Sequence, residues 1–245
     1  MGDPPSNVGV EPRSMVLIVR RGPEAREYDR GMSTSSGVDA ADRHQRKTLL
    51  DREISDCRRC DGMNREGHTA SAPGFGSIDS PLVMVGQSLC EKCMETKVPF
   101  TGGSGELIDD SLERAGFAKD AIFITNVVHC HPPRNRPSYD YEIVNCCSYL
   151  HRELELVRPR LVIALGRDAH RVLSFFHPGS RPLPWPFAPP RARGIRRAPY
   201  LLFAKHPSWI KRQHDAPLEE EYVSRLADAV RWSFDDGARD ATTCR

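Results

Sequence analysis

The sequence predicts an α/β fold, a three-layer α/β/α sandwich around a central sheet of four mostly parallel strands. The first observation behind this prediction is a set of short runs that are apolar along their whole length: Pro81–Val85, Ala121–Thr125, Leu161–Leu165 and Tyr200–Ala204. The second is that segments with a helical spacing of apolar residues alternate with these runs. Continuously apolar strands that alternate with helices are typical of a parallel sheet covered on both faces.

The helices that cover the sheet are predicted from apolar positions three and four residues apart. They are expected at Gly105–Gly116, Tyr141–Val157, Asp168–Phe176 and Leu218–Phe234. A further amphipathic helix is expected within Asp42–Cys60, with Leu49 and Ile54 on its apolar face. This helix would carry Cys57 and Cys60 at its end.

The chain has 245 residues, enough for one substantial domain with tails. We expect a disordered extension over residues 1–43, in which only Met15–Val19 could form a strand, a domain over residues 44–235 and a tail over residues 236–245. No run approaches the roughly 18–20 consecutive apolar residues of a membrane-spanning helix. The first residues also lack the basic-then-apolar order of a secretory signal. We therefore expect a cytoplasmic, monomeric protein without a membrane partner.

Charge is uneven along the chain, although the formal net charge is only +2. Between Pro190 and Arg212 there are seven basic residues and no acidic residue: Arg191, Arg193, Arg196, Arg197, Lys205, Lys211 and Arg212. Such a block is either a solvated face or a strip that contacts nucleic-acid phosphates. Composition leaves both interpretations open.

The carboxyl ends of the predicted strands indicate where a ligand would bind, since ligands of parallel sheets lie at that edge. The residues at or just beyond these ends are Gly86–Ser88, Asn126, Gly166 and His206. We therefore expect the functional site among them.

Eight cysteines indicate metal or redox chemistry, because clustered cysteines in a reducing compartment are metal ligands or catalytic groups more often than disulfides. Cys57 and Cys60 form a C-x-x-C pair, and Cys130 and Cys146 lie further along the chain. Four thiolates hold either a structural zinc ion or a [4Fe–4S] cluster, and their spacing alone does not separate the two.

The remaining four cysteines are not assigned to one shared site. Cys90 and Cys93 form a second C-x-x-C pair, expected to be two incidental thiols in an active-site loop, with a further metal or redox site as the alternative. Cys147 is expected to be a small buried apolar residue, and Cys244 a thiol of the tail.

A series of motifs follows the order and spacing of a known family. They are Pro73–Gly76, Leu82–Gly86, Pro99–Gly102, Ile124–Arg136 (close to T-N-V-V-K-C-R-P-P-x-N-R), Glu142–Leu150, Ala164–Gly166 and His206–Arg212 (H-P-S-x-x-x-R). Over about Arg43 to Arg231 the chain resembles the family 4 uracil-DNA glycosylases. The resemblance implies removal of uracil, or of another deaminated base, from DNA. It also implies a [4Fe–4S] cluster on Cys57, Cys60, Cys130 and Cys146.

The same resemblance implies roles for individual residues of the pocket. Phe100 would stack on the base, Asn126 would recognise the pyrimidine edge, and His206 would donate a hydrogen bond to the departing base. Gly86, Gln87 and Ser88 would complete the pocket, with Gln87 among the catalytic residues. As isolated residues, Phe100 and His206 could equally be structural.

On the DNA side, the resemblance implies that the segment after His206 enters the minor groove. Trp209 and Ile210 would form a wedge, with Ser208, Lys211 and Arg212 on the DNA backbone. The alternative is a loop that packs back onto the domain.

The chain departs from the family at its first motif. Family members have a glutamate after the glycine and an acidic pair further on, where this chain has Gln87, Ser88 and then Cys93-Met94. Three hypotheses follow: a glycosylase, a weakened binder of damaged or single-stranded DNA with the same fold, and a thiol- or metal-dependent protein that uses Cys90 and Cys93. The glycosylase is the main expectation.

Overall fold

The computed structural model describes residues 36–190 and 199–235. Several sequence predictions fall outside this part of the chain: the extension up to residue 35 with Met15–Val19, the tail 236–245 with Cys244, and the basic residues Arg191, Arg193, Arg196 and Arg197.

The central sheet contains five strands in the described residues: β1 Phe75–Gly76, β2 Leu82–Ser88, β3 Phe123–Val128, β4 Leu161–Leu165 and β5 Tyr200–Ala204. Their order is β1-β3-β2-β4-β5. Strands β2 to β5 are parallel neighbours, whereas β1 pairs antiparallel with β3. The four predicted strands are confirmed, and the mostly parallel sheet with them.

The sequence predicted four strands and missed β1, because β1 contains no apolar run from which a strand could be predicted. It has two residues, and Gly76 adopts a φ of +99°. A Cβ at this position would overlap with the carbonyl oxygen of Ile122. Strand β1 therefore depends on a glycine that lets the backbone approach the sheet edge.

Seven α-helices lie within the described residues: α1 Ser36–Ser55, α2 Glu91–Thr96, α3 Glu106–Ala115, α4 Asp140–Val157, α5 Arg167–Phe176, α6 Pro207–Lys211 and α7 Ala216–Phe234. Helix α1 begins inside the stretch predicted as an extension up to residue 43, so residues 36–43 are helical instead. It also ends at Ser55, and Cys57 and Cys60 follow in a loop rather than on the helix.

The helices form two layers, one on each face of the sheet. Helices α1, α4 and α5 pack on one face, and α3 and α7 on the other. The alternation of strand side chains produces this division. Along β4, Val162 and Ala164 join the first core, whereas Leu161, Ile163 and Leu165 join the second. The predicted three-layer sandwich is therefore confirmed. No helix of the described residues is long and apolar enough to cross a membrane.

The fully buried carboxylate of Glu153, on α4, joins three separate segments of the first layer. It accepts hydrogen bonds from the Gly74 amide (2.7 Å), the Thr125 hydroxyl on β3 (2.5 Å) and His129 Nε2 (3.1 Å). Burial acts to raise the pKa of Glu153, but the charge and hydrogen bond of His129 outweigh it and hold the pKa below its ordinary value. Burial likewise acts to lower the pKa of His129, and Glu153 raises it nevertheless. Both directions describe a buried carboxylate–imidazolium pair.

We predict that Glu153→Gln lowers the free energy of unfolding by about 3–5 kcal/mol, because it leaves the buried His129 without a counter-charge. Urea unfolding followed by circular dichroism measures the loss. The matched control is Glu155→Gln on the same helix, where an exposed carboxylate faces an exposed His151. That variant should change stability by less than about 1 kcal/mol. Equal losses in both variants would contradict the role given to Glu153.

Candidate active site

Gly86 and Asn126 lie side by side near the carboxyl ends of β2 and β3, two residues before each strand ends. The two residues are register partners in the parallel pair. A Cβ at Gly86 would overlap with Asn126 Oδ1 and would lie 2.6 Å from the ring atom Cζ of Phe100. Glycine at this position therefore allows the amide and the aromatic ring to meet over the end of the sheet.

The amide of Asn126 is available to a ligand. The residue is only 5% exposed, and its side chain makes no hydrogen bond with any residue of the described ranges. The unpartnered amide atoms of this largely buried residue are free to recognise a bound molecule. An amide offers both a donor and an acceptor, as the edge of a pyrimidine requires.

Phe100 stands beside this amide in a strained backbone conformation. Its φ is +56°, which is unusual for a bulky residue. The carbonyl of Phe100 accepts a hydrogen bond from Lys119 Nζ (2.8 Å), and Gly105 packs so closely that a Cβ there would overlap with the same carbonyl. These contacts keep the Phe100 backbone in its strained conformation. Such strained residues are often found at binding sites.

His206 follows β5 and is half-buried, with its ring centroid 6.0 Å from that of Phe100. Its Nδ1 accepts a hydrogen bond from the Ser208 amide (3.2 Å), so a neutral ring carries its proton on Nε2. Burial lowers the pKa of His206 to about 4, with a smaller contribution from Arg212. His206 is therefore a neutral donor at physiological pH.

The other residues at the strand ends complete the pocket edge. Gly166 lies against His206: a Cβ there would be 3.0 Å from that of the histidine. Gln87 and Ser88 end β2 and are half-buried. Of the carboxylates in the following loop, Glu91 is exposed and accepts a hydrogen bond from Asn135 (3.4 Å). The structure thus brings together Gly86, Asn126, Gly166 and His206, which the strand-end rule named. Phe100, which only the family resemblance named, joins them.

Helix α6 differs from the predicted DNA wedge. Trp209 is 38% exposed, but Ile210 is only 2% exposed and packs into the core with α3 and α7. The prediction that Ile210 inserts into DNA is wrong for this conformation, because its side chain faces the core of the domain. Of the two predicted wedge residues, Trp209 is therefore the exposed one, and Lys205 Nζ lies 5.0 Å from the centre of its ring.

The side chains predicted to contact DNA phosphates from α6 and its end are partly engaged by other residues of the protein. Lys211 pairs with Glu219 (3.0 Å) and lies 4.0 Å from Glu106. Ser208 Oγ lies 2.8 Å from His206 Nδ1, and Arg212 Nη1 donates to that hydroxyl (3.3 Å). Ser208 and Arg212 therefore support the histidine, a role that the sequence did not suggest.

The four cysteines assigned to a cluster lie in one region of the first layer. Cys130 and Cys146 are buried in its core, and Cys57 and Cys60 pack against it. All four are free thiols. Burial raises the pKa of the Cys130 thiol, and the neighbouring Cys146, Cys57 and Cys60 raise it further. In the described part of the chain, no three His, Cys, Asp or Glu side chains are arranged so as to hold a single metal ion.

The other cysteines depart from their predictions. Cys147 is half-buried rather than buried, and its thiol donates to the Val144 carbonyl (3.0 Å). Cys90 and Cys93 are not two incidental thiols, because they form a disulfide beside the pocket. The C-x-x-C spacing was the signal for this bond, but spacing alone does not distinguish it from a metal site or chance.

Comparisons with known proteins are consistent with this geometry. The family model of the uracil DNA glycosylase superfamily matches residues 73–230. The type-4 uracil-DNA glycosylase of Archaeoglobus fulgidus is 36% identical over 118 residues, which are 48% of this chain and 58% of that protein. The type-4 enzyme of Thermotoga maritima is 31% identical over 140 residues, 57% of this chain and 70% of that protein.

Coverage of the relatives is incomplete. The type-4 uracil-DNA glycosylase of Sulfurisphaera tokodaii is 32% identical over 122 residues, which are 49% of this chain and 54% of that protein. The chain thus spans little more than half the length of the Archaeoglobus and Sulfurisphaera proteins.

We predict that His206 stays neutral until the pH falls towards 4, because burial disfavours its charged form. Nitrogen NMR of histidine-labelled protein measures both the pKa and the tautomer. The spectrum should show Nε2 protonated and Nδ1 unprotonated at pH 7. A pKa near the ordinary value of about 6.5 would contradict the buried environment described for this ring.

Proposed function

Because the chain belongs to the uracil DNA glycosylase superfamily, we propose that it hydrolyses the N-glycosidic bond of uracil, or of another deaminated base, in DNA and leaves an abasic site. One observation carries this proposal. Asn126 is a largely buried residue whose amide has no hydrogen-bond partner in the described residues, and it lies next to the Phe100 ring and close to the neutral His206. A planar base with a polar edge fits this combination.

The pocket residues would act on a nucleotide extruded from the DNA stack, as base-modifying enzymes require. Phe100 would stack on the base, and the Asn126 amide would pair with its edge. As the glycosidic bond breaks, negative charge develops on the departing base. The Nε2–H of His206 would donate to that charge, which a preorganised neutral donor stabilises in a site shielded from water.

Gln87 cannot act as a general base on a water molecule in the pocket. A carboxamide can hydrogen-bond to a water molecule but cannot accept its proton, whereas the family's glutamate can. We propose that stabilisation of the leaving base by Asn126 and His206 supplies most of the rate. The missing base would cost roughly 10²–10⁴-fold.

DNA is the proposed partner, bound by one copy of the chain. Trp209 is the exposed apolar residue of α6 that could enter the groove beside the pocket. Lys205, close to its ring, and Arg212 supply positive charge on the same segment. Lys211, engaged by Glu219, would anchor α6 to α7 instead of contacting phosphate.

We further propose that Cys57, Cys60, Cys130 and Cys146 hold a [4Fe–4S] cluster, as the resemblance to family 4 implies. The donor set supports this fit, because four free thiols from two loops and α4 lie in or against one core cluster, two of them buried and two half-buried. Asn145 Nδ2, 3.4 Å from Cys60 Sγ, would donate to one of the ligating sulfurs. The cluster would tie these segments together and supply a redox-active centre.

We predict that His206→Ala and Asn126→Ala each lower the rate of base release by about 10²-fold or more, the loss expected when a donor to developing charge is removed. Alkali cleavage of oligonucleotides carrying uracil, hypoxanthine or xanthine, paired and unpaired, measures the release. The matched control is His214→Ala, an exposed histidine beyond α6, which should stay within about twofold of the native rate.

The altered first motif provides the test that separates an enzyme from a binding protein. Gln87→Glu restores a carboxylate at the end of β2 and should raise the rate. No release by the native protein together with release by Gln87→Glu would contradict the enzyme proposal and favour a weakened DNA-binding protein. Release that needs Cys90 or Cys93 but not Asn126 would favour the thiol-dependent hypothesis.

We predict about four iron ions and four sulfides per chain after anaerobic purification, with the visible absorption of a [4Fe–4S] cluster. Cys146→Ser should lose this absorption. Its neighbour Cys147→Ser is the matched control and should keep it, because that thiol donates to a backbone carbonyl. Equal cluster content in both variants would contradict the assigned ligand set.

A further inference from the structure

The disulfide between Cys90 and Cys93 is a chemical feature of the pocket wall that the glycosylase reaction does not use. It spans the first turn of α2, in the loop that runs from the end of β2 to Phe100. We propose that this pair is a thiol–disulfide exchange site, which a dithiol reductant opens, and that its redox state controls the position of Phe100. The effect on base excision rests on the proposed function, whereas the exchange reaction does not.

Contacts of the two sulfurs connect the disulfide to Phe100 through one residue. The Thr101 amide donates to Cys93 Sγ (3.5 Å), and Cys90 Sγ lies 3.9 Å from the Thr101 carbonyl oxygen. Thr101 directly follows Phe100, whose backbone is held at a φ of +56°. Both sulfurs therefore contact the backbone of Thr101, the residue that follows the strained Phe100. A change in the bonding of the sulfurs can reach the aromatic ring through this one residue.

Apart from the disulfide, few apolar contacts support this loop, although Lys97 Nζ also donates a hydrogen bond to the Ser71 carbonyl (3.2 Å). Cys93 is buried with Ala72 and Leu89 in a small cluster separate from the two layers of the main core. Lys97 closes α2 with a hydrogen bond to the Cys93 carbonyl (2.9 Å), and the Thr101 hydroxyl donates to Val98 (2.7 Å). So small a cluster buries little apolar surface and therefore stabilises the loop only weakly. Local order in this loop is therefore sensitive to the loss of one covalent bond.

A role in global stability explains the pair less well. A disulfide stabilises a fold mainly by restricting the unfolded chain, and the effect shrinks with the length of the closed loop. Cys90 and Cys93 are three residues apart in sequence, so their bond closes a very short loop. The C-x-x-C spacing is also the arrangement of many exchange-active pairs. The bond is consequently better suited to local control than to holding the fold.

The exposure of the two sulfurs sets the order of the exchange steps. Cys90 is half-buried and Cys93 is buried, so an incoming thiolate reaches Cys90 Sγ first. A mixed disulfide forms at Cys90, the Cys90–Cys93 bond breaks, and Cys93 leaves as a thiolate that then takes up a proton. The second thiol of the reductant then releases Cys90. Two electrons and two protons enter the pair, and the dithiol leaves as a disulfide.

The experiment uses the full-length, cluster-loaded protein in anaerobic buffers of oxidised and reduced dithiothreitol at stepped ratios. Alkylation followed by mass spectrometry reports the redox state of Cys90 and Cys93. Hydrogen exchange reports the order of residues 96–102, and excision is measured in the same buffers. We expect one two-electron transition, faster exchange at the Thr101 amide after reduction, and roughly tenfold to a hundredfold slower excision, as a displaced positioning group produces.

Two variants make the result specific. Cys90→Ser combined with Cys93→Ser should behave like the reduced protein in every buffer, and Cys147→Ser should keep the native response. Failure of the pair to form a disulfide in oxidising buffer would overturn the proposal, as would identical exchange at Thr101 in the two states. If excision is absent in all buffers, the proposed function fails, and the Thr101 exchange rates alone still decide whether the redox control exists.

Discussion

The buried carboxylate of Glu153 is the contact on which the arrangement of both sites depends. It joins α4 to the segment before β1, to β3 and to the residue before Cys130 through three hydrogen bonds. Thr125, one of its donors, directly precedes Asn126 on β3, and successive strand residues face opposite sides. A hydrogen bond on the α4 face therefore fixes the strand that presents the Asn126 amide on the pocket face.

The pocket combines rigid positions with strained ones. The ends of parallel strands hold Gly86 and Asn126, which are fixed by sheet hydrogen bonds. Phe100 and His206 come instead from connecting segments, and each is held by neighbouring backbone: Gly105 against Phe100, and the Ser208 amide against His206. Such a division is expected where recognition requires precise placement but the aromatic ring must admit an extruded base. It also explains how the loop that carries the Cys90–Cys93 bond can influence the site through Thr101 and Phe100.

The sequence was sufficient for the parts of the molecule that depend on local pattern and on the topology of parallel sheets. Four strands are apolar throughout, so their existence and the position of His206 just beyond β5 follow from the apolar runs. Strands β2 and β3 continue to Ser88 and Val128, so Gly86 and Asn126 lie inside the strands, two residues before their ends. Strand β1 was missed because its formation depends on the backbone of Gly76 and on Ile122, which lies far away in sequence. Ile210 was misassigned because one turn of helix gives no periodicity with which to separate an inward from an outward face. The Glu153 network involves single residues spread over about 80 positions, and no local pattern marks such a set.

The departure at Gln87 makes recognition of the base the central question about this chain. The most direct measurement is a crystal structure of the protein with free uracil bound. We predict that the uracil ring stacks on Phe100, that the Asn126 amide pairs with its edge, and that His206 Nε2 donates to one of its oxygens. Uracil bound away from the ends of β2 and β3, or bound there with Asn126 and His206 unengaged, would contradict the account.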